Sequence, residues 1–211
     1  MMAILIGVSG PTASGKSTFA AALVKALPAI DPVLVRQDGY FRSWQDLDPA
    51  ERERVRTTNH PRGVLWDRLE ADLTTLCDGG SIRMPVEGTR AWGRGDPPQT
   101  LGPSRVVIVE GHLLYARPSL RTIVDLRIFV DAFVHERVVR RLSRDVAGGT
   151  SFEDAIAWYR RDVIPNVAEH SERSRIYADL IVPFDDDNTT AVNLVKKWVD
   201  SRLRGSTWDV E

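Results

Sequence analysis

Near its start the chain carries an apolar run, residues 3–8, that leads directly into the octapeptide Gly-Pro-Thr-Ala-Ser-Gly-Lys-Ser at residues 10–17. A continuous apolar run is typical of a central parallel strand covered on both faces. The alanine-rich stretch at residues 17–27 predicts a helix that ends before Pro28. A strand, a glycine-rich loop ending in Lys-Ser and a helix, in this order, match the phosphate-binding Walker A pattern. The sequence therefore predicts an α/β fold with a phosphate site after its first strand.

The spacing of this loop follows from the chemistry of phosphate binding. Glycines let the backbone curl so that successive N–H groups point toward phosphate oxygens, and the following helix adds the positive end of its dipole. Lys16 is expected to reach the β- and γ-phosphates, and the Ser17 hydroxyl to ligate Mg²⁺. The alternative, an ordinary glycine-rich turn, is disfavoured because the flanking strand and helix are both present. The predicted nucleotide-binding residues are Gly10, Pro11, Thr12, Ala13, Ser14, Gly15, Lys16, Ser17 and Thr18.

The rest of the chain alternates short apolar runs with helical patterns. Four further strands are predicted, at residues 32–36, 105–109, 126–130 and 180–182. Helices are predicted at residues 49–56, 66–77, about 133–146, 152–170 and 189–203. Residues 84–103, rich in proline and glycine, are expected to form an irregular acceptor-side loop or a hairpin. This order predicts one domain over residues 1–211, a doubly wound, mainly parallel five-stranded sheet of the P-loop NTPase type with helices on both faces.

Composition excludes several classes of protein. The 28 basic and 29 acidic residues nearly balance, so the overall charge does not favour a nucleic-acid partner. A single cysteine, Cys77, cannot form an internal disulfide, which fits a reducing compartment; we expect it to be a core residue of a helix. Residues 1–8 have no basic leader and are too short to span a bilayer. We therefore expect a cytoplasmic protein without membrane contacts.

Two carboxylates follow predicted strands whose ends share one edge of the sheet with the phosphate loop. Asp38 follows the second strand, where a carboxylate can orient a substrate hydroxyl and accept its proton. Glu110 ends the third strand, where a second acidic group can hold Mg²⁺. Taken alone, Asp38 could be a turn residue and Glu110 a loop carboxylate. Because both lie beside a phosphate loop, we predict that Asp38 is catalytic and that Ser17 and Glu110 form a metal site.

A basic helix is predicted in the last third of the chain. Arg137, Arg141 and Arg144 are spaced so that they share one helix face, and Gly148-Gly149 ends the helix before a second one begins. Such a helical hairpin suits a lid, at about residues 133–170, that closes over phosphates. The alternative is a solvated helix face paired with neighbouring acids. We assign Arg141 and Arg144 catalytic roles, as cations that stabilise the transferring phosphoryl group.

The ordered set of motifs resembles the uridine kinase and phosphoribulokinase family of P-loop kinases. Residues 37–41, Gln-Asp-Gly-Tyr-Phe, are similar to the family's acidic-small-aromatic-aromatic motif, whose aspartate is the catalytic base. Residues 106–115 resemble its second nucleotide-site strand, and residues 140–146 and 177–183 its lid and last strand. The resemblance implies an ATP- and Mg²⁺-dependent kinase that phosphorylates a hydroxyl, with a nucleoside as the leading small-molecule acceptor. It also implies a homo-oligomer.

The chain departs from the family pattern on the acceptor side. Asn59 stands where the family commonly has an acid, Arg62 replaces a second acid, and residues 86–90 replace a tyrosine-containing stretch. Two later lid arginines are replaced by residues 147–151. Other acceptors therefore stay open: nicotinamide riboside, pantothenate or a phosphosugar. A non-catalytic nucleotide-binding regulatory module is the alternative from another class.

Four residues are candidate acceptor contacts. The ring of Tyr40 can stack on a planar group or pack under the lid. His60 can hydrogen-bond a hydroxyl or a base, or have a structural role before Pro61. Arg62 and Arg90 would supply the cations that a phosphosugar requires. We therefore predict Tyr40, His60, Arg62 and Arg90 as substrate residues.

Overall fold

A computed structural model describes residues 2–183 and 188–205. Its central sheet has five parallel strands in the order β2-β5-β1-β6-β7. These strands are β1 (Ile4–Ser9), β2 (Val33–Arg36), β5 (Val106–Glu110), β6 (Leu126–Asp131) and β7 (Leu180–Pro183). Strands β3 (Ile82–Met84) and β4 (Gln99–Leu101) pair antiparallel in a separate hairpin. The predicted α/β fold with a mainly parallel five-stranded sheet is confirmed.

The register of the three neighbouring strands β2, β5 and β1 brings the predicted polar residues to one edge. Glu110 at the end of β5 lies opposite Val8 on β1 and opposite Arg36 on β2. The phosphate loop leaves β1 two residues after Val8, and Asp38 follows β2 two residues after Arg36. Ligands of such sheets bind beyond the carboxyl ends of the strands. The fold therefore gathers the loop, Glu110 and Asp38 at a single site.

Helices pack on both faces of the sheet. The α-helices are α1 (Lys16–Ala26), α2 (Pro49–Val55), α3 (Trp66–Cys77), α4 (Arg90–Gly93), α5 (Pro118–Ile123), α6 (Val134–Ala147), α7 (Phe152–Trp158), α8 (Ile164–Asn166) and α9 (Thr189–Arg204). Leucines of α3 share one core with Val107 and Val109 of β5. Helices α1 and α9 pack against Val106 and Ile108 on the other face. Side chains of a strand point alternately to opposite faces, so β5 is buried throughout.

The segment predicted to be irregular, residues 84–103, contains more regular structure than its composition suggests. It holds the last residue of β3, the short helix α4 and the strand β4. The Thr89 hydroxyl accepts a hydrogen bond from Trp92 N–H and so caps α4. Arg42 forms an isolated bridge with Thr89, which attaches this segment to the chain after β2. The hairpin thereby forms a side wall beside Asp38.

The segment predicted to be a lid contains α6, α7 and an uneven helical continuation. After α7 the chain passes through π-helical turns, Tyr159–Val163 and Val167–Ser171, on either side of α8. Arg137 is buried and paired with Glu172, so it joins α6 to this continuation instead of facing the phosphate loop with Arg141. Within the described residues, no helix combines the length and the apolar character needed to cross a membrane.

The position of the single cysteine, Cys77, in the fold predicts that its thiol reacts slowly. Cys77, the last residue of α3, is buried, as predicted, and burial raises the pKa of its thiol to about 11. At pH 8 only about one thiol in a thousand is then the reactive thiolate. We expect a thiol-specific reagent to label native protein far more slowly than urea-unfolded protein, measured as absorbance of the released chromophore. Equal labelling rates would contradict this burial.

Candidate active site

The phosphate loop has the backbone geometry that its sequence predicts. Gly15 adopts a left-handed conformation (φ 91°) just before α1, and no side chain caps that helix. At Gly10, a Cβ atom would lie 2.3 Å from the carbonyl oxygen of Val130, so only glycine fits. The buried Ser14 Oγ has no hydrogen-bond partner among the described residues. The first N–H groups of α1 and this hydroxyl suit an anion, because a helix start carries positive partial charge.

An arginine of α6 contacts the phosphate loop directly. Arg141 donates a hydrogen bond from Nη1 to Thr12 Oγ1 at 2.8 Å and another from Nε to Asp145 at 2.6 Å. Arg144 is mostly exposed and lies 3.6 Å from Asp145. Arg144 also lines the cavity around Lys16, Ser17 and Thr18. The structure therefore places both predicted lid arginines beside the loop.

Ser17 and Glu110 bring two oxygen ligands together. The Ser17 hydroxyl donates a hydrogen bond to Glu110 Oε2 at 3.0 Å, and Glu110 is buried. Burial raises the pKa of the Glu110 carboxyl, while the nearby positive charge of Lys16 opposes that effect. A carboxylate and a hydroxyl are the hard oxygen ligands that Mg²⁺ prefers, and Mg²⁺ usually needs few protein ligands beside substrate phosphates. These residues fit a magnesium ion.

Asp38 is held at the mouth of the site by its neighbour Gln37. Gln37 is fully buried, and its Oε1 accepts a hydrogen bond from Leu113 N–H at 3.1 Å. A Cβ at Gly111 would lie 2.2 Å from Gln37 Oε1, so this close approach requires glycine. Asp38 itself is exposed, and its carboxylate has no hydrogen bond or ion pair within residues 2–183 and 188–205. The buried Gln37 thus fixes the backbone next to Asp38, whose carboxylate is unpaired within the described residues.

A cavity of about 440 Å³ brings together residues from distant parts of the sequence. Six of the predicted site residues line it: Thr12, Lys16, Asp38, Arg90, Arg141 and Arg144. Arg90 has no hydrogen bond or ion pair through its side chain in the described part of the chain. Burial, together with the neighbouring cations Arg56 and Arg94, lowers the pKa of its guanidinium. The cavity therefore combines one free carboxylate with an excess of positive charge.

Tyr40 does not line this cavity, and its predicted contact with the substrate stays a prediction. Its side chain is fully buried, and its hydroxyl donates a hydrogen bond to Asp72 at 2.9 Å. Burial and the Asp72 charge raise the pKa of Tyr40 well above its ordinary value. Phe41, the next residue, lines the cavity instead. Tyr40 is the last residue of the 3₁₀ turn Gln37–Tyr40 whereas Phe41 is extended, so the backbone changes conformation between the two rings.

His60 and Arg62 also lie outside the residues that line the Asp38 cavity. His60 Nδ1 accepts a hydrogen bond from Arg62 N–H at 3.1 Å, and its ring lies edge-on to His170 at 4.6 Å. Burial, then the neighbouring charges of His170 and Arg62, lower the pKa of His60. Arg62 donates to the carbonyl oxygen of Val55 and lines a separate surface groove. Their side chains contact nearby residues of the same segment and His170, and their predicted contacts with the substrate stay predictions.

Polar residues outside the predicted set also line the cavity, His112 and Asn59 among them. His112 is buried, and its Nε2 lies 2.7 Å from the carbonyl oxygen of Thr58. Burial, reinforced by the charge of Lys16, lowers the pKa of His112 to about 4, so the neutral ring donates from Nε2. Asn59 is almost completely buried in the opposite loop. The position of His112, two residues beyond Glu110 at a strand end, is the signal that would have indicated it.

A parallel sheet with a phosphate loop after β1, a buried acid after the adjacent strand and a lid arginine on the loop define a P-loop kinase. The chain belongs to the Phosphoribulokinase / Uridine kinase family, whose model matches residues 5–191. It is therefore a phosphotransferase, and the predicted family membership is confirmed.

Individual relatives agree with this assignment. The chain is 34% identical over 206 residues to a uridine kinase of Shewanella amazonensis, covering 95% of this chain and 96% of the relative. It is 32% identical to a uridine kinase of Ligilactobacillus salivarius, covering 95% and 94%. Among solved structures, a "putative fructose transport system kinase" from Silicibacter sp. TM1040 has a TM-score of 0.65 at 23% identity, covering 86% and 90% of the two chains. That last likeness concerns the fold alone.

Proposed function

We propose that this protein is an ATP- and Mg²⁺-dependent kinase that transfers the γ-phosphoryl group to a hydroxyl of a nucleoside. The observation that carries the proposal is the unpaired carboxylate of Asp38 in the same cavity as Lys16. A regulatory module that only binds nucleotide has no use for a free carboxylate facing its phosphate lysine. The relatives named uridine kinase support a nucleoside as the acceptor.

In this proposal each predicted residue has one task. Lys16 and the backbone N–H groups of residues 10–17 other than Pro11 would bind the phosphates of ATP, and Ser17 with Glu110 would hold Mg²⁺. The bound metal would neutralise charge on the phosphate oxygens. Asp38 would accept the proton of the acceptor hydroxyl as its oxygen bonds to the γ-phosphorus and the bond to the ADP oxygen breaks. Arg141 and Arg144, on the proposed lid at residues 133–170, would stabilise the charge of the transferring group.

A second candidate is an acceptor that carries its own anion, such as a phosphosugar or pantothenate. The observation that favours it is Arg90, a half-buried guanidinium without an ion pair in the described residues. Leaving such a cation unpaired is unfavourable unless a ligand provides the counter-charge. Nicotinamide riboside, a nucleoside with a cationic base, would fit less well beside Arg90.

A coupled ADP-release assay across nucleosides, pantothenate and sugar phosphates tests the proposal. We expect acceptor-dependent ADP release with a pyrimidine nucleoside, at a rate well above that with ATP alone. Release with a sugar phosphate or pantothenate would favour the second candidate. ATP binding without any acceptor-dependent release would overturn the kinase proposal in favour of a regulatory module.

The proposal extends to the cellular location, the partners and the self-association of the enzyme. We propose a cytoplasmic enzyme, because a single buried cysteine fits a reducing compartment. Its partners would be small molecules, without nucleic acid or membrane. Self-association rests on the family resemblance, and sedimentation of the purified chain would measure it.

A further inference from the structure

A buried carboxylate of the lid segment contacts the loop on the acceptor side of the cavity. Asp162 lies in the π-helical turn Tyr159–Val163 and is only 4% exposed. Its Oδ2 accepts a hydrogen bond from Asn59 Nδ2 at 2.6 Å and one from Thr58 N–H at 3.2 Å. Asp162 has no ion pair among the residues that the structure describes. Hydrogen bonds from this loop therefore provide the compensation that a buried charge requires.

These bonds fix the orientation of the Asn59 amide. An ionised carboxylate only accepts hydrogen bonds, so the NH₂ group of Asn59 must face Asp162. The amide oxygen, Oδ1, then lies at the other end, where it is buried without a hydrogen-bond partner. A buried carbonyl without a donor is unfavourable. Asn59 itself lines the cavity that contains Asp38, so the loop that Asp162 holds forms part of the cavity wall.

The same loop is held from its other side by the central sheet. The carbonyl oxygen of Thr58 accepts from His112, just beyond the end of β5, while the N–H of Thr58 donates to Asp162. One peptide segment is thus fixed between the sheet and the lid segment. A π-helical turn places Asp162 there, and such turns are frequent at functional sites. The wall of the cavity is complete only when the lid segment is docked.

We propose that Asp162 is a positioning residue that builds the acceptor wall from the lid. By accepting hydrogen bonds from Asn59 and from the Thr58 N–H, it keeps in place the loop against which the acceptor binds. Acceptor binding and docking of the lid segment then stabilise each other. This inference rests on the proposed kinase function, because it assigns the acceptor to this cavity.

The test compares Asp162→Leu, Asn59→Asp and the double variant Asn59→Asp/Asp162→Asn. We expect Asp162→Leu to raise KM for the acceptor at least about tenfold, with KM for ATP changed less than about twofold. Asn59→Asp places two carboxylates together, and we expect a larger loss. The double variant exchanges donor and acceptor within the pair, so we expect it to regain most of the acceptor affinity. A loss and a rescue confined to KM for the acceptor, with KM for ATP unchanged, would not follow from a merely structural role.

A matched control uses another contact between the lid segment and the body. Arg161, beside Asp162, pairs with Glu53 at 2.8 Å on the exposed surface. We expect Glu53→Gln to change KM for the acceptor less than about twofold, since exposed ion pairs contribute little. An unchanged acceptor KM in Asp162→Leu, an equal rise in both KM values, or a double variant no better than Asn59→Asp would overturn the inference.

A measurement without an acceptor separates this inference from the proposed function. Hydrogen exchange of the Thr58 amide should be faster in Asp162→Leu than in the wild type and unchanged in Glu53→Gln. If the wild type phosphorylates no acceptor in the screen, the proposed function fails. In that case faster exchange still supports the Asp162 contact, whereas unchanged exchange overturns it as well.

Discussion

Replacing Asp38 by asparagine is expected to lower turnover by about 10²–10⁴-fold while leaving KM for ATP within about twofold, because a positioned general base contributes a factor of this size. Asparagine has nearly the same shape as aspartate but cannot accept the proton of the acceptor hydroxyl. The carboxylate of Asp38 makes no hydrogen bond or ion pair with other described residues, so its replacement by the amide removes no structural contact. Steady-state kinetics with ADP release measure turnover at saturating ATP and acceptor, and KM for ATP at saturating acceptor and varied ATP.

The control for this experiment is a nearby carboxylate with a different environment. Asp46 is exposed and lies 3.4 Å from Arg42, outside the residues that line the Asp38 cavity. Asp46→Asn should leave turnover within about twofold, as expected for a surface pair. Wild-type turnover in Asp38→Asn would remove Asp38 from the mechanism and favour direct attack without a general base.

The nucleotide side of the site could be predicted from the sequence because local patterns determine it. A Walker A loop needs only one strand end and one helix start, and both lie within residues 4–26. Parallel pairing then places Glu110 and Asp38 at the same edge, since the carboxyl ends of parallel strands meet there. No long-range packing detail was required for this step. The strands and helices were accordingly predicted within one or two residues of most of their observed bounds.

The acceptor side could not be predicted in the same way, because contacts between distant segments decide it. Nothing local distinguishes Tyr40, which points into the core toward Asp72, from Phe41, which faces the cavity. The pairing of Asn59 with Asp162 spans 103 residues and depends on how the lid segment docks. The sequence did show that Asn59 replaces a common acid, but not that Asp162 brings a carboxylate to the same place.

Replacing Lys16 by methionine is expected to have the second large effect, a fall in kcat/KM of about 10²–10³-fold. Lys16 is the first residue of α1 and lines both the Asp38 cavity and the adjoining cavity of the phosphate loop. Methionine keeps an unbranched side chain, one atom shorter, and removes the ammonium group with its charge and its hydrogen-bond donors. Since phosphoryl transfer is promoted mainly by positioning and charge stabilisation, the loss should appear in kcat as well as in KM for ATP.

Lys25 provides the matched control, because it lies on the same helix in its last turn, more than two turns away from the loop. Lys25→Met alters the net charge of the protein by the same amount, so it reports any effect of overall electrostatics. We expect its kcat/KM to remain within about twofold of the wild type, with both variants unfolding cooperatively in a thermal scan. A loss confined to KM for ATP in Lys16→Met would mean that Lys16 binds the ground state and the transition state equally, which would leave charge stabilisation to Arg141 and Arg144.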